Sequence, residues 1–159
     1  MQIRKERSDD MNLDNRTVSM TLPAEAEFID VVRLTLYGIC TKAGFSYEEI
    51  EDMKVAVAEA CNNVVVHAYE PNNGGTMEVR FELIQHGLRI TVKDQGNSFN
   101  FSEKAQLAQS LHDKSLEEAQ VGGLGIYLMQ ALMDDVEVSS NGGTEVILTK
   151  RLSKSEEMV

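Results

Sequence analysis

The chain has 159 residues, 42% hydrophobic and 26% charged, with only 2 prolines and 11 glycines. That profile suits one soluble globular domain and excludes a fibrous, linker-rich or disordered chain. The formal charge is −11, from 26 acidic against 15 basic side chains, which disfavours direct nucleic-acid binding and suits a basic protein partner or plain solubility.

The first stretch, MQIRKERSDDMN, is charged with no apolar run behind it, so no secretory signal is expected. No segment approaches the ~20 apolar residues of a membrane span. TVSMTL alternates Val18, Met20 and Leu22 with Thr and Ser and reads as a strand. Pro23 then opens a helix whose stripe is Ile29, Val32, Leu36, Ile39 and Cys40, ended by Gly44. Ser46 and Glu49 form a capping box for a second helix reaching about Tyr69, with Ile50, Met53, Val57, Cys61, Val64 and Ala68 as its core stripe. TMEVRFEL and LRITVKD form a hairpin around IQHG, with Met77, Val79, Phe81, Leu83, Leu88, Ile90 and Val92 inward. Residues 97–121 read as a long polar lid. GGLG enters a third helix carrying Ile126, Leu128, Met129, Leu132 and Met133. DVEVSS and TEVILTK close the chain as a hairpin with an Asn141-Gly142 type I′ turn, before a polar tail over 153–159.

The expected architecture is a single α+β domain spanning 1–159, ordered over about 16–152: a two-layer sandwich of a mostly antiparallel sheet with helices on one face. Cys40 and Cys61 fall on apolar helical stripes and read as reduced core thiols of a cytoplasmic protein. His67, His86 and His112 have no metal-ligand spacing with them.

The second helix poses the chemical question. Between Val55 and Val66 only Glu59, Asn62 and Asn63 are polar, and Glu59 and Asn63 lie one turn apart on the same face. A carboxylate on so apolar a helix is partly desolvated and needs a partner, such as a divalent cation with its waters. Asn63 offers that cation a neutral oxygen, and Glu59 can take a proton from an attacking hydroxyl. The spacing alone also fits a solvated stripe. Asp94 has the strand parity of Leu88, Ile90 and Val92, so its carboxylate faces inward, where a purine amino group or the turn's own backbone would satisfy it. Gly96 removes a side chain where something approaches closely. Gly123 and Gly125 stand where a helix begins, a place that offers N–H groups to an anion or simply needs a tight turn. Thr144 shares parity with Val146 and Leu148 and faces the interior.

The order of these pieces carries more than any one of them. VAEACNNVVVHAYE, VKDQGNSF, GGLGIYLMQALMDDVEV and NGGT together resemble the four nucleotide-binding boxes of the GHKL superfamily, over about Val18 to Lys150. The likeness is specifically to the small anti-sigma factors of Gram-positive bacteria that are also serine protein kinases. The resemblance implies a Bergerat-type ATP-binding fold that binds ATP or ADP with Mg²⁺. By position it implies Glu59 as general base and Asn63 as magnesium ligand. It makes Asp94 the hydrogen-bond partner of the adenine amino group, with Gly96 beside it. Gly123 and Gly125 would serve the lid hinge and the phosphates, and Thr144 the adenine end. It implies two partners, a stress-response sigma factor and an anti-anti-sigma protein phosphorylated on serine, and a homodimer. Two positions depart from the pattern. Ser98 replaces the last glycine of the first glycine box, and Gln120-Val121 stand where some relatives carry arginine, leaving Lys104 and Lys114 as the bases of the lid. A nucleotide-gated binding module without phosphotransfer, and a histidine-kinase-like domain, are the alternative readings.

Overall fold

The computed structural model describes residues 16–70, 74–96, 124–140 and 142–153. The expected lid over 97–121, the glycine at 123 and Asn141 of the turn lie outside them, as does the tail beyond Ser153. The elements are β1 (Thr17–Pro23), a 3-10 turn (Ala26–Phe28), α1 (Ile29–Ala43), α2 (Tyr47–Asn63), a π-helical turn (Val64–Ala68), β2 (Thr76–Ile84), β3 (Gly87–Asp94), α3 (Leu124–Leu132), β4 (Asp135–Ser140) and β5 (Thr144–Arg151).

The five strands form one sheet in the order β1-β2-β3-β5-β4, and every pairing is antiparallel. Register follows the apolar alternation. Val79 faces Val92 and Phe81 faces Ile90 across β2 and β3, while Ile90 faces Leu148 and Val92 faces Val146 across β3 and β5. Slipping any strand by one residue would turn these rows to water. The rows meet the buried stripes of α1 (Ile29, Val32, Leu36, Cys40) and α2 (Ile50, Met53, Val57, Cys61). Phe81, Leu36, Met53, Leu88, Ile90 and Leu148 are among the largest fully buried side chains. Each contributes about 1.5–3 kcal/mol by leaving water. The other face of the sheet is charged, with Glu82 paired to Arg80 at 3.3 Å and to Arg89 at 3.7 Å.

The helix ends follow local chemistry. Ser46 caps α2: its hydroxyl accepts from the Glu49 N–H at 3.2 Å, and the Glu49 carboxylate accepts from the Ser46 N–H at 3.0 Å. Gly44 ends α1 in the left-handed region at φ 90°.

Two boundaries differ from the sequence reading. Pro23 does not open a helix; it is the last residue of β1, opposite Thr76, and α1 begins only at Ile29. The extended pairing continues past it, with the Ala24 N–H donating to the Gly75 carbonyl at 2.8 Å. An edge strand tolerates proline because one side of it pairs with nothing in the sheet. The second difference is in α2, which is α-helical only to Asn63 and then widens into the π turn.

Candidate active site

α2, the π turn, β3, β5 and α3 line a narrow cleft open to solvent. Its walls are apolar: Ala60, Val64, Ala68, Val92, Ile126, Met129 and Val146. Four polar residues also line it, namely Asn63, His67, Asp94 and Thr144. Few polar groups in an apolar cleft is the usual make-up of a small-molecule site.

Asp94 ends β3 on the inward row, opposite Met77, and is 4% exposed. Burial pushes its carboxyl above the usual aspartate value, and backbone hydrogen bonds from Gly96 and Thr144 partly hold it down. The Gly96 N–H donates to Oδ1 at 2.9 Å. This is the turn chemistry foreseen for the segment, and it also fixes the carboxylate in the cleft wall. Thr144 is buried, as its parity required. Among the described residues, no buried side-chain polar atom lacks a hydrogen-bond partner.

Gly96 is needed for packing. A Cβ there would collide with the carbonyl of Ala68, lying 2.5 Å from its carbon. What approaches Gly96 so closely is therefore the π turn itself. Gly143 plays a matching part on β5's side: it has φ 133°, and a Cβ would strike the carbonyl oxygen of Asp94. Gly96 and Gly143 thus hold the Asp94 segment between the π turn and the β4–β5 connection. Sequence reading noted the NGGT stretch but not this glycine; its signal was the doubled glycine ahead of Thr144.

Glu59 lies one turn before Asn63, and both are half-buried. Burial raises the Glu59 carboxyl above its ordinary value, with the Arg33 guanidinium of α1 opposing the rise. A Cβ on Gly125 would lie 2.6 Å from Glu59 Oε2. The first turn of α3 therefore sits directly against this carboxylate. Asn62, by contrast, is exposed. Of the residues named from sequence, Glu59, Asn63, Asp94, Gly96, Gly125 and Thr144 converge on one region; the seventh, at position 123, is outside the described residues.

Tyr69 was not singled out from sequence. It follows the π turn, and its hydroxyl donates to the Thr76 carbonyl at 2.6 Å and accepts from the Gln95 N–H at 3.1 Å. Cys40 and Cys61 are buried with thiols pushed up to about 12, so neither is a reactive thiolate. Among the described residues no group of three or more His, Cys, Asp and Glu side chains could hold a metal by itself. No helix there is long and apolar enough to cross a membrane.

The profile of a family described as "Histidine kinase-like ATPase domain" matches residues 22–150. The sequence is 45% identical over 137 residues to the serine-protein kinase RsbW of Bacillus velezensis, covering 86% of each chain. It is 44% identical over 141 residues to the RsbW of Halalkalibacterium halodurans, covering 88% of this chain and 86% of that one. The RsbW of Staphylococcus aureus strain MRSA252 is 38% identical over 141 residues, with 87% and 89% covered. In structure, the chain is similar to the RsbU and RsbW domains of a Mycobacterium tuberculosis protein, with a TM-score of 0.63, 23% identity, and 87% of this chain and 33% of that chain covered. It is also similar to a chain of the Pseudomonas aeruginosa SiaB–SiaC complex, at TM-score 0.58 and 10% identity over 94% and 96% of the two chains. These two structural likenesses support the two-layer fold.

Proposed function

The chain belongs to the histidine kinase-like ATPase family, among the serine-protein kinases named RsbW, and from that membership we propose that it is a cytoplasmic anti-sigma factor that sequesters a stress-response sigma factor. It is an ATP-binding protein-serine kinase. Its substrate is a serine of the anti-anti-sigma protein that frees the sigma factor, and its cofactor is Mg-ATP. It works as a homodimer, for which the uncharged edge strand β1 (TVSMTLP) is the surface we assign.

The observation that carries the reading is the meeting of Glu59 with Gly125 beside the cleft that buries Asp94. One end of this site has an acceptor for an adenine amino group, and the other has a partly desolvated carboxylate against a helix start. The donor set fits magnesium. Asn63 supplies a single neutral oxygen, and Mg²⁺ keeps most of its shell as water and phosphate oxygens rather than filling a protein cage.

Bound Mg-ATP supplies the phosphoryl group and the charge that neutralises it in transfer. The chain's own residues do the rest. Asp94, held by backbone N–H groups, accepts from the adenine amino group and orients the base. The apolar walls around Asp94 offer the base a surface to pack on. Glu59 takes the proton of the acceptor serine, and its raised pKa makes it a better base than a solvated glutamate.

The test is transfer from labelled ATP, with magnesium, to the anti-anti-sigma protein. Acid-stable phosphate on serine is expected, falling roughly 10²- to 10⁴-fold in Glu59→Gln with ATP still bound. Full transfer by that variant, or acid-labile phosphate on histidine, would refute the assignment.

A further inference from the structure

A hydroxyl outside the cleft braces the segment that carries Asp94. Tyr69 Oη stands between two strands: it donates to the Thr76 carbonyl at the start of β2 and accepts from Gln95 N–H just past the end of β3. The ring is fixed as well, because it lies over Gly75, where any Cβ would overlap it. Gln95 is flanked by the two residues that form the base-facing corner. Asp94 precedes it, and Gly96 follows with its N–H on Asp94 Oδ1 at 2.9 Å. Gly96 in turn rests on the Ala68 carbonyl, one residue before Tyr69. The loop of contacts is closed: Ala68 holds Gly96, Gly96 holds the carboxylate, and Tyr69 holds the residue between them.

We propose that Tyr69 is a positioning residue for nucleotide selection, its hydroxyl fixing the Asp94–Gln95–Gly96 corner at the angle that distinguishes adenine from guanine. This rests on the reading of Asp94 as the adenine acceptor. Adenine presents an amino group where guanine presents a carbonyl, so a carboxylate held in place accepts from one and repels the other. Discrimination of this kind needs fixed geometry. A carboxylate free to tilt can turn away from a guanine carbonyl and lose the penalty. Tyr69 touches neither the cleft nor, on this reading, the nucleotide, so its effect passes through Asp94.

The test uses the full chain and measures dissociation constants for ATP and GTP by calorimetry in the wild type, Tyr69→Phe, Asp94→Asn and the double variant. Tyr69→Phe keeps the ring over Gly75 and removes one oxygen. We expect ATP binding to weaken about 3- to 10-fold, on the scale of one of the two hydrogen bonds this oxygen makes. The preference for ATP over GTP falls with it, and in the transfer assay KM rises more than kcat drops. In the Asp94→Asn background the same change should leave the preference unmoved. A lower melting temperature with the preference intact marks a merely structural tyrosine and overturns the proposal. If the wild type itself fails to prefer ATP, the reading of Asp94 fails and the proposal falls with it. If Asp94→Asn loses the preference and Tyr69→Phe keeps it, the proposal alone fails. Hydrogen exchange in the nucleotide-free wild type supplies a check that needs no variant. The Gln95 amide should be protected, and exchange at the free-peptide rate would overturn the proposal.

Discussion

Gly125→Ala separates folding from chemistry. The added methyl would sit 2.6 Å from Glu59 Oε2, with the carboxyl carbon at 3.5 Å and Cβ at 3.7 Å. Carbon and oxygen come no closer than about 3.3 Å in ordinary contacts, so the carboxylate has to retreat by roughly 0.7 Å. The clash is with the far end of a flexible side chain, so a small rotation relieves it at little cost to the fold. Alanine also favours a helix over glycine by up to about 1 kcal/mol. The melting temperature should therefore stay within about 4 °C of wild type. With Glu59 as the proposed base, however, a displacement on the order of 1 Å costs about 100-fold in rate. We expect phosphotransfer to fall roughly 10- to 100-fold while ATP affinity by calorimetry changes little. Wild-type transfer by Gly125→Ala, or a loss that tracks lost ATP binding, would show that the position of Glu59 against α3 is not what the reaction needs.

Gly96→Ala should act in the opposite way. Its methyl meets the Ala68 backbone, which cannot swing aside, so overpacking should cost about 1–3 kcal/mol and lower the melting temperature by roughly 3–10 °C; a scanning melt with unchanged midpoint would refute the contact. With Glu59 as the proposed base, the acid limb of kcat against pH should lie above the ordinary glutamate value of 4.5, because a general base works ionised and burial resists ionisation. The linked stability effect has a defined sign. With the folded pKa raised, the folded state holds the proton longer, so this group's contribution is fullest below the unfolded value and is lost as pH rises through the folded one. Urea midpoints of Glu59→Gln should accordingly gain on wild type as pH rises from 4 to 7. A constant gap would contradict the desolvation of Glu59.

Most of the framework was legible because it rests on period. The 3.6-residue stripe from Ile50 to Ala68 and the alternation of β2 and β3 each name their own buried face. The candidate site residues stood out in the sequence as interruptions of those patterns: Glu59 and Asn63 on an apolar helix, Asp94 on an inward row. The π turn was not, since Val64 and Ala68 are buried in it just as an α-helix would bury them. Pro23 misled because the same residue suits a helix start and an edge strand, and only the partner at Thr76 decides. Tyr69, Gly75 and Gly143 act on segments distant in the chain, through contacts that no local pattern encodes.

The sheet's two borders are chemically unlike. β1 offers hydroxyls and aliphatic groups along its free side, whereas β4 brings Asp135 and Glu137 to the opposite border. Strand addition is thus tolerated at one border and resisted by charge repulsion at the other. A pair joined through β1 would use up the receptive border of both copies and leave the β4 borders, with Asp135 and Glu137, outward. Assembly by that route terminates at two instead of running on into a ribbon.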